Sequence, residues 1–321
     1  MSNLDLTPTL TTCGGLADVA PLPVAEVFTG REVLLGEATN VRRLLPNLGR
    51  RMVGPWCFVD HYGPDDIADA AGMQVPPHPH IGLQTVSWLL SGEVRHRDSL
   101  GSDQVLTPGT LGLMTSGHGI SHAEHSPVTH PRFLHGVQLW VALPDGVRTA
   151  GPSWEFHEHL PAFSDAGMSA TVVMGELAGE RSPGKAYSPI VGADIVLDAG
   201  ADVALPLERE FEHGVLMMSG DADIEGTELS VGSMIYLGCG RRQLRLRTSS
   251  PARLMLLGGE PFGEKIVMWW NFVGRSDEEI TLARDQWEAN AARFGDVRGA
   301  GNRLSAPELP PGRLLPGGSA R

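Results

Sequence analysis

Residues 78–97, HPHIGLQTVSWLLSGEVRHR, carry the strongest indication of the fold. Residues 85–90 form a strand-like run that ends at the turn signal Ser91-Gly92, and residues 94–97 then alternate apolar and polar side chains. This pattern is typical of two antiparallel strands joined by a short turn. The 321 residues include 40 Gly and 24 Pro, and such frequent turn residues favour many short strands over long helices. We therefore predict an all-β protein.

A similar order of strand-like segments and turn residues occurs in the second half of the chain. Residues 214–220, GVLMMSG, match the strand and turn that end at Ser91-Gly92. Residues 231–237, VGSMIYL, resemble residues 108–114, PGTLGLM. We interpret the match as an internal duplication of a small β-barrel. The alternative is that any two antiparallel sheets share such turns and strands.

One helix is predicted close to the C-terminus. Ser276 and Glu279 have the spacing of a capping box, with Ser276 as the N-cap residue. The Pro- and Gly-rich sequence after Arg298 is typical of a flexible tail. The predicted layout is a loosely ordered N-terminus over 1–22, a first barrel over 23–148, a second barrel over 149–274, a helix over 275–297 and a flexible tail over 298–321.

Composition and charge narrow the classes of partner. The formal net charge is −13, whereas binding of nucleic acid needs a concentrated basic surface. The arginines between 241 and 247 alternate with leucines, which indicates the polar face of a strand, and we expect no direct contact with nucleic acid. The three cysteines are odd in number and far apart, which argues against a disulfide framework. No signal peptide or bilayer-length apolar run is visible, so we expect a cytoplasmic protein without membrane contact.

Two short motifs in the first half predict a metal site. His78 and His80 flank one proline, and His122 and Glu124 flank one alanine. Side chains two positions apart on a strand point to the same side, so each pair can face one ion. Three imidazoles and one carboxylate are typical ligands of a first-row transition metal such as iron, manganese, nickel, copper or zinc. Four protein ligands on an octahedral ion leave two positions for a substrate atom and O2.

Further side chains are candidates for the surroundings of the site. Trp88, Met114 and Trp140 are predicted to line an apolar pocket, although barrel core is an equally good interpretation of each. His118 lies in a Gly-rich turn, where it could guard the mouth of the pocket or be solvated. His96 lies between two arginines and suits a strand surface as well as a site. The direction of each side chain on its strand decides between these alternatives.

These motifs resemble those of the pirin family, a branch of the cupin superfamily. The resemblance is carried by HPHIGLQTV at 78–86, MTSGHGISHAE at 114–124 and WNFVGRS at 270–276. It implies two jelly-roll-like cupin barrels in tandem, with a single iron in the first and no metal ligands in the second. It also implies that the three histidines and the glutamate named above hold that iron, because they match the family's ligand positions.

The resemblance implies two kinds of function. Some bacterial pirins are similar to quercetin 2,3-dioxygenases, which open a flavonol ring with O2, and eukaryotic pirins look like redox-sensitive transcription cofactors. Our leading hypothesis is an Fe(II)-dependent dioxygenase acting on a small aromatic, quercetin-type enol, with Glu124 as the catalytic proton acceptor. The alternative is a metal- and redox-dependent regulatory protein that binds a protein partner. A zinc-dependent isomerase or hydrolase is a third hypothesis.

Overall fold

The computed structural model describes residues 3–35 and 39–310. Within these ranges the chain forms two β-barrels, a short 3-10 helix and one α-helix. This architecture confirms the predicted all-β class with two tandem cupin barrels and a C-terminal helix. Residues 1–2 of the predicted N-terminal segment and residues 311–321 of the predicted tail lie outside the described residues.

The strands are short and are numbered in chain order. Those of the first half are β1 (Thr11–Gly14), β2 (Glu26–Thr29), β3 (Arg31–Leu35), β4 (Thr39–Leu45), β5 (Trp56–Asp66), β6 (Gln74–His80), β7 (Leu83–Ser91), β8 (Val94–Asp98), β9 (Asp103–Leu106), β10 (Leu111–Thr115), β11 (Ile120–His125), β12 (Phe133–Ala142) and β13 (Ser153–His157). Those of the second half are β14 (Ala162–Asp165), β15 (Met168–Leu177), β16 (Glu180–Arg181), β17 (Ile190–Leu197), β18 (Asp202–Pro206), β19 (Glu212–Ser219), β20 (Ala222–Ile224), β21 (Thr227–Leu229), β22 (Ser233–Gly238), β23 (Gln243–Arg247), β24 (Ala252–Gly259), β25 (Lys265–Trp269) and β26 (Phe272–Gly274). The 3-10 helix spans Leu16–Asp18 and the α-helix, α1, spans Asp277–Glu288.

Each barrel is built from a large sheet and a small sheet. The first barrel has the strand orders β13-β10-β7-β12-β5-β4-β3 and β6-β11-β8-β9. The second barrel has the orders β2-β22-β19-β24-β17-β15-β14, with β16 paired to β15, and β18-β23-β20-β21. The two sets of orders correspond strand by strand, so the predicted internal duplication is confirmed.

Two edge strands cross the predicted boundary between residues 148 and 149. β13 follows that boundary but pairs with β10 of the first barrel, where His157 lies opposite Leu111. β2 lies within the predicted bounds of the first barrel but pairs with β22 of the second, where Glu26 lies opposite Tyr236. Each barrel therefore receives an edge strand from outside its predicted bounds, which covers backbone groups of β10 and β22 that would otherwise be unpaired. Periodicity identifies a strand but not its partner, so the sequence did not predict either exchange.

The barrels pack through the outer faces of their large sheets. One continuous apolar cluster contains Trp88 of β7 and Leu216 of β19, together with residues of both large sheets. A polar contact crosses the same interface, because the Trp88 indole donates a hydrogen bond to Asp194 of β17 at 2.9 Å. Arg253 of β24 pairs with the same carboxylate. The interface therefore buries the outer side of β7, whose other side faces the interior of the first barrel.

The N-terminal segment includes a paired strand. β1 pairs with β25 in a three-stranded sheet completed by β26, with Thr11 opposite Met268. We expected a loosely ordered segment here because its residues are small and polar. Its pairing partner is a strand more than two hundred residues away, which local composition does not indicate.

Helix α1 begins as predicted, and the chain after it docks on the helix. The Glu279 backbone amide donates a hydrogen bond to the Ser276 side chain. The Trp287 indole donates to the Leu304 carbonyl at 2.8 Å, and the Leu304 amide donates to the Pro77 carbonyl at 2.8 Å. Part of the predicted flexible tail is therefore packed, because Leu304 supplies an apolar contact that the Pro- and Gly-rich composition concealed. In the described part of the chain, no helix has the length and apolar character needed to span a bilayer.

Candidate metal centre

Three histidines of the first barrel converge at one point. His78 and His80 lie on β6, His122 lies on the adjacent β11, and the register places His122 directly opposite His78. All three side chains are buried. One nitrogen from each ring lies within 4.8 Å of the corresponding nitrogens of the other two. His78 and His80 thus point to the same side of β6, as their alternation in the sequence predicts.

The outer ring nitrogens fix the orientation of the imidazoles. His78 Nδ1 lies 2.8 Å from the Pro76 carbonyl oxygen, and His80 Nδ1 lies 3.0 Å from the Asn271 carbonyl oxygen. A carbonyl oxygen only accepts, so each Nδ1 carries the hydrogen and each Nε2 carries the lone pair. The Nε2 atoms of His80 and His122 are 3.1 Å apart. Neighbouring ligands at metal–nitrogen distances of about 2.1 Å are separated by about 3 Å, so this donor set fits one metal ion.

Burial keeps these imidazoles neutral. Removal from water lowers the pKa of His78 to about 4, and it lowers the pKa values of His80 and His122 well below their ordinary range. The neighbouring imidazoles act in the same direction on His80 and His122. A metal ion binds the unprotonated nitrogen, so the three rings are in the protonation state that metal binding requires.

Glu124, the fourth predicted ligand, is buried in the same barrel but is not part of the three-histidine group. The pairing of β11 with β6 shifts register between His122 and Glu124, so the simple two-residue alternation is disturbed there. Ser87 Oγ lies 3.4 Å from a Glu124 carboxylate oxygen, but its single hydrogen is directed at Gln138 Oε1, which lies nearer at 2.9 Å. The roles of Glu124 as a ligand and as a proton acceptor stay predictions.

Trp140 forms an aromatic surface beside the histidines. Its ring centroid is 5.3 Å from that of His80 and 4.0 Å from that of Phe58, on which it stacks. Met114 and Trp140 both lie opposite Thr85 in the large sheet, so they point to the same side of it. The structure therefore places both predicted residues on the inner side of the barrel.

The same inner side presents two hydrogen-bond donors. Gln138 Nε2 and Trp140 Nε1 are buried and have no hydrogen-bond partner among the described residues. The other end of the Gln138 amide is engaged, because its Oε1 accepts a hydrogen bond from Ser87 Oγ at 2.9 Å. Buried donors are rarely left unpaired in proteins. These two are therefore candidate contacts for oxygen atoms of a bound molecule.

The other two predicted pocket residues lie elsewhere. Trp88 is three positions from Thr85 on β7, so its side chain points away from the interior and packs between the barrels. This corrects its predicted position, which the sequence could not settle because both sides of this strand are buried. His118 is exposed on the turn between β10 and β11, where its backbone contacts Ala150 and Arg293. Its predicted role at the pocket mouth stays a prediction.

One important neighbour of the site was left undecided by the sequence. His96 is buried, with Nδ1 3.3 Å from His122 Nδ1 and Nε2 3.2 Å from an Asp98 carboxylate oxygen. Its ring stacks on Trp154 of the exchanged strand β13, with centroids 3.6 Å apart. The signal that could have found it is the alternation of Val94, His96 and Asp98 with two arginines, which places the histidine and the aspartate on the inner side.

The second barrel has the corresponding strands with different side chains. β18 and β23 occupy the places that β6 and β11 occupy in the first barrel. Their inward residues are buried and aliphatic, and they are Val203, Leu205, Leu244 and Leu246. These side chains offer no nitrogen or oxygen to an ion at the equivalent position.

Comparison with known proteins shows where this chain belongs. The Pirin family model matches residues 38–141, and the model of the Pirin C-terminal cupin domain matches residues 192–295. A Pseudomonas aeruginosa protein, provisionally named a quercetin 2,3-dioxygenase, is 45% identical over 88% of this chain and 90% of its own length. The crystal structure of a quercetin 2,3-dioxygenase from Acinetobacter baumannii has a TM-score of 0.87 and 40% identity, covering 90% of this chain and 96% of that chain.

A more distant relative shares the fold. A bacterial pirin from Escherichia coli, solved in complex with nickel(II), has a TM-score of 0.60 and 17% identity, covering 74% of this chain and 100% of that chain. The two family models each match one half of the present chain, in the order that the duplicated barrels require. The resemblance carried by the histidine motifs is thereby confirmed, and this chain belongs to the pirin family of cupin proteins.

Proposed function

We propose that this chain is a mononuclear metal-dependent dioxygenase that acts on a quercetin-type enol, with Fe(II) as its metal. The observation that carries the proposal is the convergence of three buried, neutral imidazoles on one point of the first barrel. The names of two similar proteins support the substrate class, because one is a quercetin 2,3-dioxygenase and the other carries that name provisionally. The nickel(II) complex of the Escherichia coli pirin supports a divalent ion.

The choice of metal follows from the donor set and the reaction. His78, His80 and His122 would hold the ion, and Glu124 would complete the set. Nitrogen and carboxylate ligands suit iron, manganese, nickel, copper and zinc, and among these iron combines redox chemistry with a common use in oxygenases. Bound there, the metal would supply Lewis acidity toward a substrate hydroxyl and the redox chemistry that O2 requires.

The protein side chains have separate tasks in this proposal. Glu124 would accept the proton of the enol hydroxyl. Gln138 Nε2 and Trp140 Nε1 would donate hydrogen bonds to substrate oxygens, which pairs two donors that otherwise have no partner in the described chain. The stacked rings of Trp140 and Phe58 would pack against the flat aromatic substrate.

The experiment is metal analysis of anaerobically purified protein, followed by O2 uptake with a panel of flavonols. We expect one metal ion per chain and O2 consumption by the Fe(II) form with quercetin. His122→Ala should lose both properties. His159→Ala is the matched control, because His159 is exposed on the loop between β13 and β14, and it should keep both.

Two outcomes would replace the proposal. An Fe(II)-loaded protein that consumes no O2 with any flavonol or other enol would contradict the dioxygenase assignment and favour the regulatory, partner-binding alternative. Turnover without O2 by the zinc form, together with an inactive iron form, would favour an isomerase or hydrolase.

A further inference from the structure

We propose that His96 and Asp98 form a hydrogen-bonded chain with His122 that orients this ligand and strengthens it as an electron donor. The inference rests on the proposed metal site and adds two positioning residues to it. Both residues act through His122. The contacts of the three side chains determine where each hydrogen lies.

Asp98 sets the direction of the chain. Its Oδ1 accepts hydrogen bonds from the backbone amides of Leu100 at 2.9 Å and Ser102 at 3.0 Å. Its Oδ2 lies 3.2 Å from His96 Nε2, and an ionised carboxylate only accepts, so His96 Nε2 carries the hydrogen. With Nε2 directed at Asp98, His96 presents Nδ1 to His122.

His122 completes the chain. As a metal ligand through Nε2, His122 carries its hydrogen on Nδ1, which lies 3.3 Å from His96 Nδ1 and donates to it. The His122 lone pair is then on Nε2, the atom that lies 3.1 Å from His80 Nε2. All three candidate ligands thus have the same tautomer. The carbonyl groups of Pro76 and Asn271 set it in two of them, and a histidine–aspartate pair sets it in the third.

The charge of Asp98 distinguishes this arrangement from a carbonyl partner. A carboxylate polarises the N–H of His96, which in turn makes His96 Nδ1 a better acceptor for His122. An imidazole that donates a stronger hydrogen bond from Nδ1 is a more basic ligand through Nε2. His122 is therefore the strongest electron donor of the three imidazoles toward a bound ion.

Packing shields the hydrogen-bonded His122–His96–Asp98 series from water. It also places this series in contact with a strand from the second half of the protein. His96 and Asp98 are 1% and 2% exposed. The Trp154 ring covers His96 at 3.6 Å with an angle of 4° between the planes. Trp154 lies on the exchanged strand β13, so a segment beyond the predicted first barrel holds a group that orients a ligand inside it.

The test compares Asp98→Asn with Asp103→Asn, using Co(II) as a spectroscopic probe in place of Fe(II). Each variant removes one carboxylate charge, but Asp103 is exposed on the neighbouring strand β9 and pairs with Arg95. An amide at position 98 would present N–H to His96 Nε2, which favours the wrong tautomer of His96. We expect Asp98→Asn to bind Co(II) about tenfold to a hundredfold more weakly and to shift its visible absorption. Asp103→Asn should match the wild type in both.

A second variant tests the inference in case the Asp98→Asn protein does not fold. His96→Phe keeps a flat ring on Trp154 but removes both nitrogens, and it should weaken Co(II) binding and shift the spectrum in the same way. Thermal unfolding of the metal-free proteins shows which variants are folded. Wild-type Co(II) affinity and spectrum in a folded His96→Phe protein would overturn the inference and leave the metal site standing. A wild-type protein that binds neither Co(II) nor Fe(II) would overturn the proposed site and the inference together.

Discussion

The two barrels share one strand order and differ in what their interiors contain. The strands that carry His78 and His122 in the first barrel have counterparts that carry Leu205 and Leu244 in the second. The same scaffold therefore accommodates a polar interior and an aliphatic one. The fold does not depend on the metal ligands, and the capacity to bind a metal belongs to side chains placed on one copy of the fold.

The comparison also shows how a polar barrel interior is tolerated. Each aliphatic side chain buried in the second barrel contributes about 1.5–3 kcal/mol to folding. The first barrel replaces part of that core with paired polar groups, such as Arg43 and Asp60, which form two hydrogen bonds of 2.8 Å while almost fully buried. Both barrels bury further apolar side chains where their large sheets meet, and Trp88 of the first barrel lies in that interface.

The largest difference between the barrels is expected when a histidine is removed from each. His80→Ala should weaken metal binding by more than about a hundredfold, because changing even a hydrogen-bond partner of a ligand costs about tenfold to a hundredfold. His213→Ala removes a buried histidine from the second barrel and should leave the metal content unchanged. Metal analysis after dialysis measures both. Metal loss in His213→Ala but not in His80→Ala would contradict the assignment of the metal site to the first barrel.

A smaller effect, on stability rather than on metal content, is expected from the aliphatic interior. Leu244→Ala should lower the free energy of unfolding by about 2–5 kcal/mol because it leaves a cavity in the second barrel. Val196→Ala, at an exposed position of β17, is the control and should change it by about 0.5 kcal/mol or less. Urea unfolding measures both. A folded Leu244→Ala protein that has lost its metal would show that the metal site depends on the packing of the second barrel.

The smallest of the three effects concerns pH. Burial, and to a lesser degree Arg241, lowers the pKa of His213 to about 4, so between pH 6.5 and 4 the unfolded chain binds more protons than the folded one. The contribution of neutral His213 to the free energy of unfolding is therefore fully present above pH 6.5 and is lost as the pH falls toward 4. This contribution is about 3 kcal/mol at most.

The variant His213→Phe isolates this contribution. Its free energy of unfolding should fall less between pH 7 and pH 4.5 than that of the wild type, as measured by urea unfolding at both values. His61 and His135 of the first barrel, whose pKa values burial lowers to about 3 and about 4, should account for part of the remaining slope. An identical slope in the two proteins would contradict a neutral, buried His213.

Local patterns in the sequence predicted the features that depend on near neighbours in the chain. The alternation of His78 with His80 placed two imidazoles on one side of β6, and the capping box at Ser276 placed the start of α1. Both patterns act within one strand or one helical turn. The structure has both features, and the distant contact of the Asn271 carbonyl with His80 reinforces the first of them.

The features that the sequence did not predict depend on distant pairing. Trp88 and Trp140 lie in strands that are buried on both sides, so hydrophobicity alone could not show which one faces the histidines. Trp154 reaches His96 because β13 pairs with β10, and β13 has no residue pattern that identifies this partner. The Asn271 carbonyl that orients His80 is 191 residues away in the chain.

The most direct measurement is a crystal structure of the Fe(II)-loaded protein with anomalous diffraction at the iron edge. We predict one ion per chain, about 2.0–2.3 Å from the Nε2 atoms of His78, His80 and His122, and none between β18 and β23. An ion bound elsewhere, or one that any of these three imidazoles does not contact, would contradict the assignment of the metal centre to the first barrel.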